Sequence, residues 1–291
     1  MEDYLKSIAL GIVEGVTEFL PVSSTAHLRI TEALFHLDLA DPYWKMYTVV
    51  IQLGAVLCLP FYFRARLLGF LAKRDGPWSA HPLTKVMLAF VVTAVPAFLL
   101  SKLIGKHLED LHIMGSALLV GGLVMGMVDL KKSPWEKAGP EAPGSPIRTW
   151  TMDGISTLQA AWIGACQILS AVFPGTSRSM STIAGGQLAG LSRPAALEFS
   201  FFLSIPTMFA ATGYDLLKVL LGKHADASTP LHIDLHGWTV LAIGFIVSFL
   251  VAYASVAALM AWVRKRGFLP FALYRVAVGI AVLAWAASKN S

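Results

Sequence analysis

The chain has 291 residues, of which 56% are hydrophobic and only 14% charged, and its mean hydropathy is +0.64. Soluble domains carry charge on about a quarter of their residues, so a water-exposed globular domain is excluded and lipid is the expected solvent. The net charge of +5 reads as Lys and Arg that set membrane topology, and no nucleic-acid partner is expected.

The chain begins Met-Glu-Asp-Tyr-Leu-Lys, without the basic start and small-residue cleavage site of a secretory signal, so no cleaved leader is expected. The first apolar segment, Leu5–Leu37, is broken at Phe19-Leu-Pro-Val-Ser-Ser-Thr25. Six other stretches approach the roughly 20 residues that cross a hydrocarbon core: Trp44–Phe63, Leu83–Ser101, Ile113–Leu130, Ala196–Leu221, Trp238–Val263 and Phe271–Ala287. Between the third and fourth lie a tract rich in Pro, Gly and charge (131–150), which reads as a flexible linker, and a second broken apolar segment. That segment, Gly154–Leu191, carries Phe173-Pro-Gly-Thr-Ser-Arg-Ser179 at its centre. Cys58 and Cys166, the only cysteines, sit in apolar segments and suggest neither a disulfide framework nor a zinc site. His224 and the stretch His232–His236 match no trusted ligand spacing and are expected in a periplasmic loop.

Segments 64–82, 131–153, 192–195 and 264–269 together carry twelve Lys and Arg, whereas residues 1–45 with 102–112 and 218–236 carry seven. The richer set is assigned to the cytoplasm. Leu5–Leu37 and Gly154–Leu191 must then return to the side they entered, as re-entrant hairpins turning at their Pro- and Ser-containing breaks. A shift of 153 residues places Glu14 on Gln167, Pro21 on Pro174, Ser23 on Thr176 and Ser24 on Ser177 without a gap. The expected fold is an all-α integral membrane protein with an inverted-topology repeat, each half one re-entrant helical hairpin plus three transmembrane helices. Residues 1–130 form the first repeat (hairpin 5–37), 131–153 a cytoplasmic linker, and 154–291 the second repeat (hairpin 154–191).

Broken helices are tolerated at membrane depth only where protein or a water-filled cavity surrounds them. The returning helices, starting near Ser24 and Ser177, would point N–H groups and positive dipole ends at one place that prefers an anion. Glu14 and Glu18, four apart on one apolar helix, would repel each other when ionised. Either a divalent cation, which could bridge to phosphate, or a shared proton or Arg partner must neutralise them. His27, one turn into the returning helix, offers a nucleophile, general base or proton donor. Ser24 is the stronger of the two serines for chemistry; Ser23 caps a helix or binds substrate. Arg178 is placed to fork phosphate oxygens, or to pair with Glu14 or Glu18. Thr25, Ser177 and Ser179 are expected to add hydroxyl contacts to substrate or, for Ser177 and Ser179, simply to cap the helix. Glu198 and Arg275, inside apolar segments, are expected to be buried and paired.

EGVTEFLPVSSTAH, VVIQLGA, FPGTSRSMSTI, EFSFFLSIP and LYRVAVG occur in this order along nearly the whole chain. Together they resemble the undecaprenyl-diphosphate phosphatases associated with bacitracin resistance. The resemblance implies hydrolysis of an isoprenyl diphosphate lipid at a site opening to the periplasm of the bacterial inner membrane, with Mg2+ or Ca2+ required. It implies Glu14, Glu18, Ser24, His27 and Arg178 as the active site. The family usually carries Gly where this chain has Ala26 and Met180. A secondary transporter or lipid flippase with a midplane anion site is the alternative class; whether Ser24 or His27 attacks stays open, and a homodimer is compatible with the sequence.

Overall fold

The structure is a computed structural model that describes residues 1–38, 41–72, 77–100, 110–220 and 233–289. Among these residues it is all helical. α1 (Glu2–Thr17) opens with Glu2 and Asp3, acids that suit the positive end of the helix dipole. A turn leads into the shorter α2 (Ser24–Leu34). α3 (Pro42–Tyr62) starts with proline after Asp41, whose carboxylate accepts the Tyr43 N–H. α4 (Arg64–Ala72) and α5 (Pro82–Leu99) follow. α6 (Leu111–Ala138) is capped by Asp110 and ends at Gly139, whose φ of +86° suits glycine.

The second half begins with α7 (Thr157–Val172), closed by a reciprocal capping box between Ser156 and Gln159. α8 (Arg178–Leu188), α9 (Arg193–Leu220), α10 (Leu235–Val263, capped by Asp234) and α11 (Leu269–Lys289) complete the chain. Six of these, α3, α5, α6, α9, α10 and α11, are long and apolar enough to cross a membrane. They coincide with the six expected spans, as period and length predict. The chain is a multi-pass membrane protein.

α6 packs along α11, α1 along α10, and α5 along α7; α3 contacts both α9 and α10, and α8 lies against α6, α7 and α9. Phe19, Phe63, Phe199, Phe201, Phe202 and Phe268 fill the largest core cluster. The tract 131–150 is less loose than its composition suggested. Its first eight residues continue α6, and farther on Arg148 and Thr149 both donate their N–H groups to the Gly190 carbonyl.

Two buried or half-buried ion clusters tie helix ends together. Asp129 accepts from Arg193 Nε at 2.7 Å and from the N–H groups of Phe268 and Leu269, joining α6, α9 and the start of α11. Arg66 pairs with Asp153 and, at 2.9 Å, with Glu198, so that acid is paired as expected but half-buried rather than buried. Cys58 and Cys166 are free thiols. His224 and His232 lie outside the described residues. His236 sits in the first turn of α10, bonded to Asp3 and Tyr4 of α1.

Candidate active site

Both breaks form tight turns, and in each a serine takes a left-handed conformation: Ser23 at φ 77° and Ser177 at φ 69°. Such backbone costs about 1–3 kcal/mol per residue and persists only where surroundings over-determine it. The two strained serines are 154 residues apart, so the gapless 153-residue register is off by one here. Glu18–Ser23, six residues, separate α1 from α2, whereas five, Phe173–Ser177, separate α7 from α8. Gly175 makes the second turn possible, since its φ is +90° and a Cβ there would lie 2.5 Å from the Met114 carbonyl oxygen.

Several bonds bring the turns together. Arg178 Nη2 donates to Glu18 Oε1 at 3.0 Å, and both side chains are at most 10% exposed. Ser179 Oγ donates to the Leu20 carbonyl at 3.0 Å. Glu18 also accepts from Ser24: the Ser24 Oγ to Oε2 distance is 2.6 Å. One carboxylate therefore holds the serine of the first turn and the arginine of the second. The expected alternative partner for Arg178, an acid of α1, is thus present, yet it uses only one of the guanidinium nitrogens. Among the described residues, Arg178 Nε and Nη1 are buried with no hydrogen-bond partner.

Glu14 is fully buried against the Glu18 carboxyl, and among the described residues no donor group bonds to either of its oxygens. Two buried carboxylates side by side are costly unless a cation or a shared proton joins them. Among the described residues no three His, Cys, Asp or Glu side chains gather as a metal cage. His27 bonds outside the Ser24–Glu18–Arg178 chain: Nδ1 lies 2.7 Å from the Ser23 carbonyl and Nε2 2.7 Å from the Tyr274 hydroxyl. Ser23 is buried. Ser177 Oγ accepts the Met180 N–H and bonds to Ser179 Oγ. Thr25 is exposed and takes no part in the bonds joining Glu18, Ser24 and Arg178.

Residues 7–281 match the family described as Bacitracin resistance protein BacA. The chain belongs to the BacA family. A protein of Koribacter versatilis (strain Ellin345) named undecaprenyl-diphosphatase is 60% identical, the match covering 99% of this chain and 100% of that protein. Proteins of the same name from Caldanaerobacter subterraneus subsp. tengcongensis and Rhizobium etli (strain CIAT 652) are 39% and 38% identical, each covered over 98% of its length. The family resemblance carried by the five motifs is thereby borne out.

Arg275 of this BacA family chain is wholly buried, as expected, but its partners are not carboxylates. Nη1 donates to the Pro21 carbonyl, and Nη2 is within 3.1 Å of the Ala117, Gly175 and Thr176 carbonyls. One guanidinium therefore grips both turns by their backbones. The sequence marked Arg275 but not this task, and it carried Tyr274 only as part of the LYRVAVG motif.

The two departures from family glycine point away from the Glu18 cluster. Met180 lies against α6, its Cε 2.7 Å from where a Cβ on Gly121 would stand, and Ala26 is buried among Met114, Leu118 and Val282. Beside the second turn, α6, α7 and α8 enclose a largely apolar cavity of about 580 Å³, lined in part by Val120, Leu169, Thr176 and Leu188.

Proposed function

We propose that the chain hydrolyses undecaprenyl diphosphate to undecaprenyl phosphate and inorganic phosphate, recycling a lipid carrier for peptidoglycan synthesis and so conferring bacitracin resistance. The observation that carries this reading is the Ser24–Glu18–Arg178 chain, in which Arg178 keeps two buried donors unpartnered. A buried donor without a partner costs about 1–3 kcal/mol or more when charged, and a phosphate supplies paired oxygens that match a guanidinium fork. The relatives' name, undecaprenyl-diphosphatase, supports the same substrate, and the alternative of a transporter is not favoured by it.

Phosphoryl transfer depends mainly on positioning and charge neutralisation. The terminal phosphate lies against Arg178 Nε and Nη1 and the first N–H groups of α8. Ser24 is the nucleophile that this geometry favours over His27, because its hydroxyl already donates to Glu18, which takes the proton as Oγ bonds to phosphorus. The bond to the bridging oxygen breaks, lipid monophosphate leaves, and water then releases phosphate from the serine. Ser23, Thr25, Ser177 and Ser179 supply nearby hydroxyls.

The residues fit a divalent cation, Mg2+ or Ca2+: Glu14 brings two unpartnered buried oxygens, and Glu18 is one helical turn away. Such an ion takes one or two carboxylates together with phosphate oxygens and water. It supplies neutralisation of the charge that builds on the diphosphate.

The surrounding architecture in this reading is an inverted repeat, 1–130 and 154–291, joined by 131–153. The packing supports it. Exchanging α1, α3, α5 and α6 for α7, α9, α10 and α11 turns each major contact into another: α1 with α10 into α7 with α5, α3 with α10 into α9 with α5, and α6 with α11 into itself. The charge count supports a cytoplasmic linker, and the family resemblance supports a site that opens to the periplasm of the inner membrane.

Protein purified in detergent and given undecaprenyl diphosphate should release inorganic phosphate. Binding of that lipid without release, with lipid movement across a vesicle membrane, would establish transport instead.

A further inference from the structure

We propose that Tyr274 is a positioning residue for His27: its hydroxyl occupies Nε2 in the substrate-free protein and cedes that nitrogen to a protonated oxygen of the terminal phosphate when the diphosphate binds. This rests on reading the site as a diphosphate hydrolase. A backbone carbonyl can only accept, so the Nδ1 that faces the Ser23 carbonyl carries the ring proton. In the neutral ring Nε2 is then the free lone pair, and the Tyr274 hydroxyl donates to it at 2.7 Å. The two rings are nearly parallel, 14° apart with centroids separated by 5.6 Å. Tyr274 thus fixes the plane of the imidazole as well as covering its reactive atom.

The two anchors of His27 differ in kind. Ser23 belongs to the strained, buried turn, so the Nδ1 bond is held by backbone that cannot relax. Tyr274 is 45% exposed, and its neighbour Arg275 is wholly buried with its guanidinium committed to both turns. α11 therefore delivers two adjacent side chains with opposite properties: Arg275 locks the turns through several carbonyls, whereas among the described residues the Tyr274 hydroxyl is held only by its bond to Nε2. A phosphate on Arg178 whose P–O–H reaches His27 donates to the same lone pair and so competes with the tyrosine for Nε2. The pair holds the imidazole in register while the site is empty and releases it only to a ligand that replaces the hydroxyl.

The test is Tyr274→Phe, which keeps the ring stack and removes only the hydroxyl. Carbethoxylation of His27 by diethyl pyrocarbonate, followed by mass spectrometry of its peptide, should proceed at least threefold faster in the substrate-free variant than in wild type. KM for undecaprenyl diphosphate should fall at least twofold, because the competing group is gone. Tyr274→Leu, which removes the stack as well, should label fast but lose kcat. An unchanged labelling rate at His27, or a raised rate with KM unmoved, overturns the proposal. A wild type that releases no phosphate refutes the hydrolase reading, while the labelling rates alone still decide whether Tyr274 covers Nε2.

Discussion

Replacing Arg178 with lysine tests the phosphate fork most sharply, because charge is kept and geometry is lost. The guanidinium spends Nη2 on Glu18 and holds Nε and Nη1 in reserve. A single ammonium cannot serve Glu18 and two phosphate oxygens in those directions. Each charge-assisted hydrogen bond is worth about 1.5–3 kcal/mol, so losing one to two of them costs on the order of 3 kcal/mol. At about 1.4 kcal/mol per factor of ten, kcat/KM should fall roughly a hundredfold. The assay is phosphate release from undecaprenyl diphosphate in detergent, with thermal unfolding and size-exclusion profiles to confirm that the variant is folded. A folded Arg178→Lys protein within threefold of wild type would refute the reasoning.

Other expectations follow from the same geometry. Glu14→Gln removes the unpartnered buried carboxylate, so Mg2+ at a hundred times its Kd, worth about 2.7 kcal/mol of stabilisation, should raise the Tm of wild type by several degrees and leave that of the variant unchanged. Arg275→Met leaves four backbone carbonyls without their donor; such losses cost about 1–3 kcal/mol each, and the variant should be strongly destabilised in thermal unfolding. Gly175→Ala should lower Tm as well, because a Cβ would stand 2.5 Å from the Met114 carbonyl oxygen at a φ of +90°; an unchanged Tm would contradict the tight turn. Asp129→Asn, far from the turns in sequence and bound to Arg193 and the start of α11, should cost about 3–5 kcal/mol of stability as a broken buried pair, with KM for the lipid unchanged. A cysteine placed at Glu141, in a chain lacking Cys58 and Cys166, should react with impermeant thiol reagents only from the cytoplasmic side.

Elements that depend on composition alone were legible in the sequence. The six spans follow from length and hydropathy, and their starts coincide with Pro, Asp or Ser caps such as Asp41, Asp110 and Asp234. Glu18, Ser24 and Arg178 were legible because polar groups inside apolar segments must find one another. The finer features were not. The one-residue difference in turn length, which moves the strained serine from the position opposite Thr176 to that opposite Ser177, arises from backbone conformation and leaves no mark on residue type. His27 was expected to join the catalytic cluster because it is near in sequence, yet helix α11, some 247 residues away, supplies its partner. Arg275 was expected to be buried and paired; its partners are backbone carbonyls, since turns within an apolar fold leave backbone oxygens that need donors as much as any acid needs a cation.

The central claim, that Glu18 joins nucleophile and phosphate fork in a hydrolase, is tested most directly by comparing wild type with Glu18→Gln for phosphate release from undecaprenyl diphosphate in Mg2+, with a chelator control. The account predicts release by wild type that the chelator stops and that Glu18→Gln abolishes. A folded Glu18→Gln protein that turns over at the wild-type rate would contradict it.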